Sequence, residues 1–281
     1  MGMVVINDSN FVHYINPLHD GHVRICAVKP RDWSRVSYGS MPEFGPPELP
    51  DIPMEEWPER IAEMDAKKLW ADDVWLSLGI PALDQDGLSY CHAYSCADAM
   101  IIVRESMGLP YVPLSPESIG GPITGFRNEG AWIIDDLKQA KNVGASTTEF
   151  VGAYEYRRNQ RKPGTDENCA LHRIEEVWEL EQRSIRQQFS ALLSGFPTCD
   201  GYNWWGHAVT GVRIGDKKNG MAATNINRYR KLILNSWSQT WGELGRGWLE
   251  GSKMFADESY VIRKCTSAVD PKRASSPAVA L

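Results

Sequence analysis

A cysteine does useful nucleophilic chemistry only as the thiolate, and a helix N-terminus or a nearby imidazolium stabilises that anion. Cys91 meets the first condition from sequence alone. It opens the run CHAYSCADAMIIVRESMG, in which Ala93, Ala97, Met100, Ile101 and Met107 recur at roughly helical spacing before Gly108. A single cysteine is more often a buried, inert thiol, so its neighbours must decide. The chain has six cysteines, at 26, 91, 96, 169, 199 and 265. None forms a CxxC pair, so neither a metal site nor a cofactor is expected. The N-terminus, MGMVVINDSN, lacks the basic flank and apolar stretch of a secretion signal. A disulfide framework is therefore not expected, and the expected location is cytoplasmic.

Positioning such a thiol requires a buried helix and something packed against its first turn. The first half of the chain reads as mainly helical. Helices are predicted from about 54 to 69, from 91 to 107, from about 130 to 142 and from about 173 to 193. The stretch from Asp72 to Tyr90 reads as a loop-rich approach to the cysteine. After Pro197 the character changes to strands: GHAVTGVRIG, RKLILNSW, GRGWLEGSK and YVIRKCT, with glycine-bearing turns between several of them. Segregated helices and strands predict an α+β protein of two lobes. Residues 43–58 are rich in proline and acid and read as an extended connector. The expected organisation is an N-terminal extension over 1–71, a catalytic domain over 72–265 and a weakly structured tail over 266–281.

Three segments carry a family resemblance. DQDGLSYCHAYS is similar to the nucleophile signature of the papain-like cysteine peptidases, in which a glutamine lies six residues before the cysteine. Gln85 and Cys91 keep that spacing. NWWGHAVTGVRIG resembles the family's histidine strand and makes His207 the candidate base. LILNSWSQTWGELGRGWLEGSK resembles its asparagine segment. The resemblance implies that Asn235 orients His207 and that Trp237 shields their hydrogen bond from water. It also implies that Gln85 and the Cys91 amide hold the oxyanion. Cys91 and Asn235 are 144 residues apart, within the roughly 130–150 of papain-like enzymes. His207 comes early, 116 after the cysteine. GDKKNGMAATNINRYR supplies the extra length, as an enlarged polar hairpin.

Departures are visible as well. Leu88 stands where the family usually has a disulfide cysteine, Tyr90 replaces a small residue, and His92 replaces a tryptophan. His92 is a rival base by proximity, but adjacent helical side chains diverge, so it should point away from Cys91. LSPESIGGPITGFRNEGAW resembles the family's segment that ends in a substrate-pairing loop. By that likeness Asn128, Glu129 and Gly130 form the loop. Gly130 would meet the peptide backbone near the second residue before the scissile bond. Glu129 and the neighbouring Trp204 and Trp205 would then shape the specificity pocket, and Gly206 would be a further substrate-binding position.

The resemblance covers Trp75 to Lys253 and implies a papain-like fold with a peptide or protein substrate. The first 70 residues fall outside it. They can pack permanently on the catalytic domain, occupy the cleft and be removed, or dock the enzyme on an assembly. Composition bounds the rest. The chain has 281 residues, 42% of them hydrophobic and 23% charged, which suits an ordinary globular core. A net charge of -6 and a pI near 5.6 argue against a nucleic-acid partner. No apolar run approaches the ~20 residues of a membrane span. An acyl or amide transferase on the same triad and a papain-fold assembly component, such as a virion part, are the rival classes. The oligomeric state is not legible.

Overall fold

The computed structural model describes residues 2–31 and 49–266. Helices and strands appear in the order β1 (Val4–Ile6), β2 (Leu18–His19), β3 (His22–Val23), α1 (Trp57–Lys67), α2 (Ala71–Ser77), α3 (Cys91–Ser106), α4 (Pro116–Ile123), α5 (Ile133–Asn142), α6 (Thr165–Cys169), β4 (Ile174–Glu179), α7 (Ile185–Leu193), β5 (Thr198–Tyr202), β6 (His207–Asp216), β7 (Tyr229–Leu234), β8 (Arg246–Leu249) and β9 (Glu258–Cys265). One seven-stranded sheet runs β1-β8-β7-β6-β5-β9-β4, and β2 and β3 form a separate hairpin. Every pair in the large sheet is antiparallel except β1 with β8. The expected α+β class holds.

Among the described residues, the two larger apolar cores lie on the two faces of this sheet. Alternation along the strands assigns each side chain to one of them. Ala208, Val212, Leu232, Leu234, Tyr260 and Ile262 join the core built around α3. Val209, Ile214, Ile233 and Leu249 join the core that receives Trp57, Ile61 and Met64 from α1 and Phe189 from α7. Helix α3 is buried on every side, as a central helix must be when it packs on a sheet and on other helices.

The N-terminal extension is woven into this body. β1 is the edge strand beside β8, and α1 seals the second core. Of the connector predicted over 43–58, the part up to residue 48 lies outside the described residues, as does nearly all of the 266–281 tail.

Two expectations are corrected. The helix predicted over 173–193 is strand β4 followed by α7. The chain breaks between them at Arg183, whose φ is +54°, and Ser184 caps α7 by accepting from the Gln187 amide. The register of β4 against β9 shifts at Glu176. A bulge of this kind puts Ile174 and Val177 three apart on the core side, which imitates helical spacing. The approach from Asp72 to Tyr90 contains α2, whose start is fixed by the Asp73 carboxylate accepting from the Trp70 amide. The predicted helix near 130–142 begins three residues later, at Ile133.

Candidate active site

Cys91 is the first residue of α3 and is fully buried. Side-chain bonds lay this helix end on β6. Ser95 Oγ donates to the Val209 carbonyl at 2.9 Å, and Thr210 Oγ1 donates to the Ser95 carbonyl at 3.2 Å. The Cys91 sulfur meets the backbone N–H groups of Ala27, Ala208 and His92. These donors favour the thiolate, but burial outweighs them and pushes the thiol pKa up.

His207 opens β6, one residue before Ala208. Its Nε2 lies 2.9 Å from Asn235 Oδ1. An amide oxygen only accepts, so Nε2 carries the hydrogen and Nδ1 is the basic nitrogen. Nδ1 is buried and has no hydrogen-bond partner among the described residues. Burial lowers the ring's pKa from 6.5 to about 4, with the Asn235 bond opposing. Trp237 stacks on the imidazole, centroids 4.8 Å apart at 29°, and Trp205 meets it edge-on at 4.8 Å. Both indoles are buried, so the His207–Asn235 bond is kept from water, where it would weaken.

Asn235 directly follows β7, and its amide bonds the Gly245 carbonyl at 2.8 Å. Gly245 has φ +79°, and a Cβ there would fall 2.2 Å from the Ala82 methyl. The turn that holds Asn235 therefore needs glycine.

Gln85 sits in the turn before α3. Ser236 Oγ donates to its Oε1 at 2.6 Å. Its Nε2 donates to the Leu88 carbonyl at 2.7 Å and to the Ile25 carbonyl at 3.0 Å. The amide is thus held by its own turn while pointing at a carbonyl of the N-terminal extension.

The remaining predicted positions divide. Asn128 accepts from the Ser89 amide at 2.7 Å and donates to the Gly87 carbonyl at 3.2 Å, so it braces the loop ahead of Cys91. Glu129 is exposed and paired with Arg127 at 2.9 Å. Trp205 is buried against His207 and Trp237, and its Nε1 donates to the Tyr14 carbonyl at 2.6 Å. Gly130 and Gly206 flank a segment of the chain itself. His92 is turned away from the thiol, with Nδ1 2.7 Å from Asp136 Oδ2 in a fully buried pair.

That segment is residues 24–31, whose docking place no motif in the sequence marks. Arg24 is anchored on Asp84 at 2.5 Å, and the Ile25 carbonyl accepts from Gln85. The Ala27 amide meets the Cys91 sulfur. The Val28 amide donates to the Gly206 carbonyl at 2.9 Å, and the Lys29 amide to the Ala131 carbonyl at 3.0 Å. The Ala27 carbonyl lies so close to Gly130 that a Cβ there would be 1.7 Å from its oxygen. Trp132 Nε1 donates to the Pro30 carbonyl at 3.1 Å. The segment lies along the groove between the Gly130 loop and the start of β6, directly over the thiol. The apolar run Ile25–Val28 was its one signal in the sequence, and such a run does not say where it docks.

Among the described residues, no group of His, Cys, Asp and Glu could hold a metal ion. No helix there is long and apolar enough to cross a membrane.

No protein-family model matches the chain, and no curated protein matches it. Solved structures do. Xylellain, a cysteine protease from Xylella fastidiosa, is 20% identical with a TM-score of 0.52, over 66% of this chain and 83% of that one. Digestive procathepsin L 3 of the Tenebrio molitor larval midgut is 14% identical with a TM-score of 0.53, over 64% and 65%. The cysteine protease and lectin-like domains of Cwp84, a surface layer associated protein of Clostridium difficile, are 15% identical with a TM-score of 0.55, over 69% and 51%. The match thus spans about half of the Cwp84 chain. On this architecture, the chain has the fold of the papain-like cysteine proteases.

Proposed function

We propose that the protein is a cysteine peptidase that hydrolyses peptide bonds through a thioester, and that the geometry described above is its closed form. The observation that carries this reading is the imidazole of His207. It is fixed by Asn235 under Trp237, with its basic Nδ1 uncommitted, on the strand whose second amide touches the Cys91 sulfur.

With the cleft open, His207 takes the thiol proton, and the thiolate at the α3 N-terminus attacks the substrate carbonyl. Gln85 Nε2 and the Cys91 amide stabilise the oxyanion. As the carbon–nitrogen bond breaks, His207 gives its proton to the departing amine and a thioester remains. His207 then draws a proton from water, the hydroxide adds, and the acid departs as the thiol is regenerated. Asn235 holds the ring in one orientation throughout. A neutral amide suffices, since the cation it orients already faces a thiolate.

Residues 24–31 explain why a catalytic set can be wholly buried. In the family likeness Gly130 lies on the acyl side of the scissile bond. The segment reaches Gln85 with Ile25 and the Gly130–Ala131 edge with the later residues Ala27 and Lys29. It therefore runs opposite to a substrate, and its own peptide bonds are not presented for attack. A substrate must displace it.

The test is the intact mass of the full chain after an epoxide-type cysteine-peptidase probe, beside Cys91→Ala and His207→Ala. One-to-one labelling that needs both residues supports the reading. Absence of labelling, with peptide turnover also absent when the segment is loosened by Val28→Pro, overturns it. That result favours a structural role for the fold, which the complete burial of Cys91 also permits.

A further inference from the structure

The segment that closes the cleft brings a second thiol to the nucleophile. Cys26 directly precedes Ala27, whose amide meets the Cys91 sulfur. Only two backbone bonds, of about 1.5 and 1.3 Å, separate the Cys26 Cα from that amide nitrogen. The strand of the base fixes the same approach from the other side. A Cβ at Gly206 would lie 3.9 Å from the Cys26 Cβ. Gly206 is two residues before Ala208, another of the amides on the Cys91 sulfur. The Val28 amide ties the segment to the Gly206 carbonyl at 2.9 Å. The two thiols also sense each other, since negative charge on Cys91 opposes ionisation of Cys26.

Cys26 stands apart from the other cysteines. All six are free thiols; five are buried, and Cys26 is half-buried. Asn16 holds it from two sides. Asn16 Oδ1 accepts from the Cys26 amide at 2.7 Å, and the Asn16 amide donates to the Cys26 sulfur. The first bond fixes the backbone. The second is a weak bond to sulfur, and rotation about χ1 releases it. Burial pushes the Cys26 thiol up to about 12, with the Asn16 amide acting against it, and pushes Cys91 up as well. Both thiols are therefore unreactive while the cleft is closed.

We infer that Cys26 and Cys91 are a redox pair, and that a hydroperoxide converts them into a disulfide that locks residues 24–31 over the cleft. The lock takes its functional meaning from the peptidase reading above; the bond itself requires only that the two sulfurs meet. When the segment lifts, Cys91 ionises against His207 and is the sulfur an oxidant encounters. Its thiolate attacks the peroxide and the oxygen–oxygen bond breaks. The alcohol leaves with the proton that His207 held, and Cys91 becomes a sulfenic acid. When the segment returns, the Cys26 sulfur attacks the sulfenyl sulfur. The sulfur–oxygen bond breaks, and the departing hydroxide takes the Cys26 proton to become water. Two thiols and one hydroperoxide thus give one disulfide, one alcohol and one water. The nucleophile is spared the irreversible step to sulfinic acid, and a dithiol reductant restores both thiols.

The test treats the full chain with hydrogen peroxide, beside Cys26→Ser and Cys91→Ala. The intact mass of the wild type should fall by about 2 Da as one disulfide forms, and a non-reducing peptide map should join the peptides that hold Cys26 and Cys91. Labelling by the epoxide probe should cease and return with dithiothreitol. Cys26→Ser should label as the wild type does before treatment. After treatment it should gain oxygen at Cys91 and lose labelling that dithiothreitol does not restore. Cys26→Ala serves if the serine variant does not fold. A wild type that keeps both thiols, gains oxygen at Cys91 as the variant does, or links Cys91 to any other cysteine overturns the pair. Probe labelling without the link leaves the peptidase reading intact and sinks the lock. A link between Cys26 and Cys91 in a chain that neither the probe nor any peptide engages keeps the pair and overturns the peptidase reading.

Discussion

The amide of Val28 donates to the carbonyl of Gly206, the residue just before His207, at 2.9 Å. This bond ties the N-terminal extension to the base's own strand. Replacing Val28 with proline removes the donor. A net hydrogen bond is worth about 0.5–1.5 kcal/mol, so Val28→Pro should raise the open population by up to about tenfold. The measurement is the rate of Cys91 alkylation by the epoxide probe, followed by intact mass. An unchanged rate would mean that this bond does not hold the cleft shut.

Asn235→Ala takes away the acceptor that orients His207. A hydrogen bond to a charged group is worth about 1.5–3 kcal/mol, so kcat/KM on a peptide substrate should fall about 10–100-fold. Trp237→Leu leaves the acceptor but opens the bond to water, and its loss should be the smaller of the two. Steady-state kinetics on both variants, with Tm measured in parallel, separates orientation from unfolding. Equal losses would remove the shielding role of Trp237.

Gln85→Ala removes one of the two proposed oxyanion donors. The expected effect is a fall in kcat of about 10²–10³ with KM little changed. Since Gln85 also bonds Ser236 and Leu88, Tm should drop as well. A change confined to KM would mean that Gln85 serves only ground-state binding.

Stability should depend on pH through His207. Its folded-state pKa, about 4, lies below the ordinary 6.5 because the ring is buried. Between those values the unfolded chain binds a proton that the folded chain refuses. Folding free energy is therefore unaffected above pH 6.5 and is lost as pH falls towards 4. The drop from 6.5 to about 4 corresponds to roughly 3–4 kcal/mol at most. Urea unfolding of wild type and His207→Gln at pH 7 and pH 4.5 checks it: the loss from pH 7 to pH 4.5 should be smaller in the variant. Identical pH dependence would exclude His207 as the cause.

His92 and His207 should part company. His92→Ala leaves Asp136 buried without its partner, a defect worth about 3–5 kcal/mol. Its Tm should fall sharply, while the pH profile of kcat in the folded fraction stays that of wild type. A shifted profile would bring His92 into the chemistry.

Local order and spacing made the candidate catalytic residues legible. Cys91 opens a run that is helical by its own periodicity, His207 opens a run that alternates, and Asn235 ends another. The structure joins two of these elements directly, through the 2.9 Å bond between His207 and Asn235, and packs the third on the same strand. The reading failed at β4 because a bulge changes the side-chain period of a strand, and period was the only signal available there. It failed at α2 because a seven-residue helix offers too few turns to outweigh the surrounding turn residues.

Neighbouring positions alone named the candidates for the chemistry, since side-chain type and local backbone preference are written there. Long-range packing set where residues 24–31 lie. It also decided that Glu179 and Glu258 converge on Arg31 and that Ala208, Gly201 and Glu258 fall in one row of the sheet. Those relations join positions about 50 to 230 apart along the chain, through sheet register and long-range docking. They depend on which surfaces bury one another, and no local pattern of residues carries that information.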